Sequence, residues 1–281
     1  MRPQCFGLPF AADALRLALR IGAHLCAEPA CVAACIVVQL AHLTPWSDVT
    51  IQPVVFTLLF LYVFGSAIKV PGMRYQEYLL PGLVAQNIAF GVIGAGVATA
   101  THFTSGVTER FRSLPVSRLA IITAQVVGQV CEQILGMVLM IGLGLALGWR
   151  PHVSVLSGRG FAPLLLLGLT AFTWFGVVLG MALRSSDAVQ GIGFAAVFPL
   201  TFMPGTFVPI EGMAAVPRAI GEWDPFASFV AAVRQITQGV HANGSWPLEH
   251  PIVAMIGWCV LITAVCVPLA LRRFRNALPP A

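Results

Sequence analysis

Glu132 is a carboxylate well inside an apolar run, Leu119 to Gly148. Gln125 and Gln129 precede it at helical spacing, and Gln133 stands beside it. Residues three and four apart share one face of a helix, so these side chains form a polar stripe that ends on Glu132 or Gln133. Inside a membrane such a stripe either lines a path for polar cargo or hydrogen-bonds helices and subunits to one another. Gln86 and Asn87, in the preceding apolar run, pose the same choice. A proton relay through Glu132 would need a partner, and no intramembrane Asp, His or Lys elsewhere is an obvious one.

Chemistry of other kinds finds no support. Lys69 is the only lysine, and no G-x-x-x-x-G-K-[ST] surrounds it, so the chain carries no Walker-type phosphate loop. H-E-x-x-H and G-x-S-x-G are absent. The 7 cysteines show no C-x-x-C spacing and read as free thiols packed as small hydrophobes, with no metal site. No Lys/Arg block suits nucleic acid. The chain reads as a non-enzyme that binds no cofactor itself.

The elements that hold these residues are membrane helices. Of 281 residues, 58% are hydrophobic and 10% charged, against roughly 25% charged in ordinary soluble domains. Apolar runs of about 20 residues, enough to cross a hydrocarbon core, repeat along the length. The fold class is therefore all-α: a polytopic membrane protein with six transmembrane helices, surrounded by membrane lipid. Residues 1–50 are expected to form an N-terminal cytoplasmic or interfacial region, and residues 51–281 one six-helix transmembrane domain. The first residues lack the order of a removable signal peptide. From Phe10 to Cys26, Arg16, Arg20 and His24 share one face, the pattern of a helix lying flat on the membrane. Ala30 to Leu43 is apolar but short, bracketed by Pro29 and Pro45.

The expected spans are Pro53–Val70, Tyr78–Ala100, Leu119–Gly148, Phe161–Leu183, Ala188–Val208 and Pro251–Leu271. Arg74 and Glu77 are expected in the first loop, Arg150, His152 and Arg159 in the third, and Arg184 to Asp187 in a tight turn. On the second span, Gly91, Gly94, Ala95 and Ala98 let a neighbouring helix approach closely. Six crossings place both termini on one side. With that side cytoplasmic, the inner face carries the larger share of Lys and Arg, which fits the positive-inside rule.

Residues 209–247 are too long and too apolar for a simple loop. Pro209, Pro217, Trp223, Asp224 and Pro225 punctuate them, and Phe226, Phe229, Val230 and Val233 share a helical face, followed by Arg234. This predicts a segment that dips into the outer leaflet and returns, with a small extracellular cap as the other reading.

The sharpest charge cluster lies between the second and third spans: Glu109, Arg110, Phe111, Arg112, Ser113, Leu114 and Pro115, then Arg118. The stretch ERFRSLPVSRLAI resembles the first cytoplasmic loop of the daunorubicin-resistance-type permeases, in the ABC-2 class of ABC exporters. QPVVFTLLFLYVFGSAI from Gln52, YLLPGLVAQ from Tyr78, FVP from Phe207, DPF from Asp224 and VRQITQG from Val233 agree in order. The chain departs from the family pattern at His102 to Thr104 and at Gln125 to Gln129. The resemblance implies six spans, an N-terminal elbow helix and outer-leaflet re-entrant helices. It also implies two permease subunits, as a homo- or heterodimer, paired with two copies of a separate ATP-binding cassette ATPase. ATP and Mg would sit on that partner, and the arginine-bearing loop would dock on it. The implied activity is export of a lipophilic drug or lipid-like natural product across the cytoplasmic membrane. An ion-coupled secondary transporter using Glu132 is the alternative.

Overall fold

The computed structural model describes residues 46–64, 75–104, 118–149, 155–202, 221–239 and 245–277. The flat N-terminal helix, the 30–43 stretch and the far ends of the first and fifth expected spans lie outside these residues. The described chain forms α1 (Trp46–Leu59), closed by a π-helical turn at Phe60–Phe64, then α2 (Tyr75–Thr104) and α3 (Arg118–Ala146). There follow α4 (Val155–Leu183), α5 (Ser186–Phe202), α6 (Pro225–Gln238), the short α7 (Trp246–Glu249) and α8 (Pro251–Ala277).

Among the described residues four helices are long and apolar enough to cross a membrane: α2, α3, α4 and α8. The protein is a multi-pass helical membrane protein. The apolar window of α2 and that of α4 are each 67% buried, against 22% for α8. The first two are therefore the heart of the bundle, and α8 leaves most of its surface uncovered by the described residues.

Small residues on α4 dictate how that heart packs. A Cβ at Gly176 would fall on the Val92 carbonyl oxygen, and one at Gly180 on that of Gly96. In return a Cβ at Gly96 would lie 3.1 Å from the Gly176 carbonyl oxygen. The two backbones touch through this Gly176-x-x-x-Gly180 face, with Ala95 and Thr99 filling the gaps beside it. The contacts advance together along both helices, so α2 and α4 run parallel. The small-residue reading of α2 holds at Ala95, which lies at the α4 contact, and fails at Gly94. Gly94 is exposed with nothing near its Cβ position, whereas Gly91 makes room for the Gln133 carboxamide.

Three loop expectations are corrected in the same direction. Glu77 lies in the first turn of α2, Arg159 inside α4, and Ser186 and Asp187 in the first turn of α5. The helices begin outside the apolar stretch, where polar side chains still reach water and acids favour a helix N-terminus. The turn between α4 and α5 is thereby reduced to Arg184 and Ser185. Arg184 adopts φ 51, the left-handed conformation that lets the chain reverse there.

Around the α2–α4 pair, α5 and α3 pack on α2, α8 packs on α4, and α1 lies chiefly on α3. The amphipathic α6 is wedged among α2, α4 and α8. Phe226 and Phe229 are buried, and Phe226 stacks on Phe172 with ring centroids 4.6 Å apart.

Candidate functional site

The stripe on α3 divides in two. Gln125 Nε2 donates to Thr99 Oγ1 on α2 at 2.7 Å, while the Thr99 hydroxyl donates to the Ala95 carbonyl of its own helix. Gln133 Nε2 donates to Thr173 Oγ1 on α4 at 3.0 Å, and Thr173 in turn donates to the Leu169 carbonyl. These two glutamines tie α3 to both central helices, and each such bond contributes on the order of 0.6–2 kcal/mol in a membrane. Gln129 and Glu132 do something else: Gln129 Nε2 donates to Glu132 Oε2 at 3.2 Å within α3, both side chains half-buried. The threonines could not be found from sequence, because they sit 26 and 40 residues from their partners.

Gln86 and Asn87 on α2 behave differently again. Gln86 is 2% exposed, yet neither its Oε1 nor its Nε2 has a hydrogen-bond partner, and Asn87 Oδ1 has none either. A buried polar group left in this state costs about 1–3 kcal/mol. Both face a cleft between α1, α2 and α3 that Phe56, Phe90 and Met140 help to line.

Of the punctuating residues before and in α6, Pro209 and Pro217 lie outside the described residues, and Trp223 is exposed. Asp224 is buried and caps α6: its Oδ1 accepts the Phe226 N–H at 3.1 Å. Pro225 occupies the first helical position, where a missing N–H is harmless. Gly239 closes the helix in the left-handed conformation, φ 67, its N–H donating to the Gln235 carbonyl. Near that end Arg234 lies over the Tyr78 ring, 3.8 Å from its centroid, and its Nη2 donates to the Tyr78 carbonyl at 3.0 Å. Gln238 Nε2 bonds the Glu77 carbonyl. Thus α6 runs from Phe172, near the middle of the apolar stretch of α4, to the start of α2. The spacing of Arg234 and Gln238, one helical turn apart, was a legible sign of a shared contact, although Tyr78 as the acceptor was not.

At the opposite end of the bundle, α2 stops at Thr104 and α3 starts at Arg118. Glu109, Arg110, Phe111, Arg112, Ser113, Leu114 and Pro115 lie outside the described residues between them. What the structure does show is the root of that loop. The Gln125–Thr99 bond joins α2 and α3 within the last two turns before it.

The sequence profile of the ABC-2 type transporter family matches residues 43–237, most of the chain and all the helices from α1 nearly to the end of α6. The chain belongs to the ABC-2 type transporter family. Among curated relatives it is 28% identical over 229 residues to the daunorubicin resistance ABC transporter permease protein DrrB1 of Streptomyces coeruleorubidus, covering 82% of this chain and 79% of that one. It is 26% identical over 240 residues to the doxorubicin resistance ABC transporter permease protein DrrB of Mycobacterium tuberculosis, covering 79% and 80%. The inner membrane transport permease YadH of Escherichia coli is 21% identical over 81% of this chain and 89% of its own length.

The matched range holds every polar side chain described above, from Glu77 to Arg234, leaving Gln238 one residue outside it. In this ABC-2 permease α8 lies outside the matched range, and it is also the least buried of the four candidate spans among the described residues.

Proposed function

We propose that this chain is the membrane-spanning subunit of an ATP-driven exporter, worked by a separate ATP-binding cassette subunit that docks on the loop from Glu109 to Arg118. The observation that carries this reading is the match of residues 43–237 to the ABC-2 type transporter family, and the Gln125–Thr99 bond at 2.7 Å braces α2 and α3 close to where they lead into the loop. Together with the backbone contact of α2 on α4, it makes the loop the end of a braced unit. A push there moves three helices as one body instead of bending two separately. Arg110 and Arg112 offer charge to carboxylates on the partner, while Phe111 and Leu114 offer apolar surface. The positive-inside bias puts this end in the cytoplasm, with both termini on the same side.

On this reading the bundle has six crossings, those of α1 and α5 among them, and α6 is a re-entrant helix of the outer leaflet. Its burial among three spans supports that placement, since a segment that dips into lipid and returns is tolerated only where protein covers it. Two copies of the permease, identical or different, assemble with two cassette subunits that hold ATP and Mg. The cargo is a lipophilic drug or lipid-like natural product, a class supported by the drug-resistance names of the relatives.

Co-purification tests the pairing. Expressed with the cassette ATPase of its own operon or genome and solubilised from membranes, the tagged chain is expected to bring down that ATPase in a one-to-one ratio. A monodisperse permease that purifies without it under the same conditions overturns the reading.

A further inference from the structure

The cleft that Gln86 and Asn87 face lies along a seam where α1 touches α2 only sparsely, because α1 is held mainly by α3. It measures about 20 Å³, room for one water and no more. A second void of about 10 Å³ continues along the same seam between Leu61 and Leu80. Beside the amides Phe56 meets Phe90 edge to face at 5.8 Å, and Phe60 and Phe194 extend the aromatic row across α1 and α5. The π-helical turn at Phe60–Phe64 stands at the end of α1, a form of helix often found at functional sites. Gln86 sits well inside the apolar stretch Glu77–Phe103. No protein group among the described residues hydrogen-bonds its amide in the packed seam.

We propose that this seam is a recognition subsite for the uncharged, planar end of an amphiphilic cargo. Its carbonyl and hydroxyl groups bond to Gln86 and Asn87, and its ring lies against Phe56 and Phe90. Among the described residues no charged side chain lines the cleft, which disfavours the cationic or anionic end of such a molecule. An amide offers two donors and an acceptor, so Gln86 accepts either polarity of partner. Entry requires α1 to part from α2, a helix pair with little contact to lose. The inference rests on the exporter reading for its cargo class.

The test uses the permease with its cassette ATPase in lipid nanodiscs, and daunorubicin, planar, hydroxylated and fluorescent, as probe. Gln86→Leu keeps the volume and removes groups that have no partner in the closed seam. It is expected to leave the thermal midpoint unchanged or raised and to weaken daunorubicin binding at least tenfold. Asn87→Leu is expected to weaken binding in the same direction, and Val253→Ala, on the exposed face of α8, to leave it unchanged. Wild type and Gln86→Leu binding with equal affinity overturns the subsite alone. So does a Gln86→Leu protein that loses stability at unchanged affinity, the signature of a purely structural water. A wild-type complex that hydrolyses ATP but binds no daunorubicin overturns the cargo class and the subsite together.

Discussion

Leucine at Gly180 is expected to abolish the folded bundle. The Gly180 Cα faces the Gly96 carbonyl with no room for one carbon, and the obstacle is backbone, which cannot rotate aside. Forcing extra methylenes into a packed core costs typically about 1–3 kcal/mol where side chains can adjust. Here α2 and α4 must separate along their whole crossing, and the cost rises beyond that range. Against a total stability of about 5–15 kcal/mol the loss is decisive. Gly176→Leu acts through the Val92 carbonyl in the same way. Size-exclusion profiles of fluorescently tagged protein read the outcome. Gly180→Leu gives aggregate or no peak, while Gly94→Leu, on the exposed side of α2, elutes like wild type. Identical profiles for the two variants would mean that the helices do not meet where the glycines place them.

The second large effect belongs to the loop. Reversing Arg110 and Arg112 to Glu is expected to cut the co-purified ATPase at least tenfold while the permease keeps its elution volume and thermal midpoint. Truncating one partner of a close charge pair across an interface costs about 2–5 kcal/mol, and reversal adds repulsion. The same contact weakens with ionic strength, because the Debye length falls from about 10 Å at 0.1 M salt to 3 Å at 1 M. Raised salt should therefore release wild-type ATPase as well. Undiminished ATPase recovery with both arginines reversed would place the docking surface elsewhere.

How much of this could be read in the chain follows from how local each signal is. The interiors of α2, α3, α4 and α8 were plain, since an apolar run reports its own burial in lipid. Their starts were not. Glu77, Arg159 and Asp187 look like loop residues, yet they sit in the first two turns of helices that begin before the apolar stretch. The face of α6 was legible because Phe226, Phe229, Val230 and Val233 repeat at helical spacing, and all four are buried. The close helix approach was legible at Ala95 and Gly91 and misplaced at Gly94. Glycine spacing marks a small surface, and which surface meets a partner is settled by the partner, here Gly176 and Gly180 on α4. The polar stripe likewise gave residue types without their destinations. Gln125 and Gln133 went to threonines on other helices, and Gln86, the most buried of the set, went to none.

The source of driving energy tests the account most directly. Proteoliposomes carrying the chain and its cassette ATPase are to be loaded with daunorubicin, and drug movement followed by fluorescence with ATP, without ATP, and with a protonophore. The account predicts movement that requires hydrolysable ATP, survives the protonophore and persists in Glu132→Gln. Movement that continues without ATP, collapses with the proton gradient and disappears in Glu132→Gln would contradict it and identify an ion-coupled carrier instead.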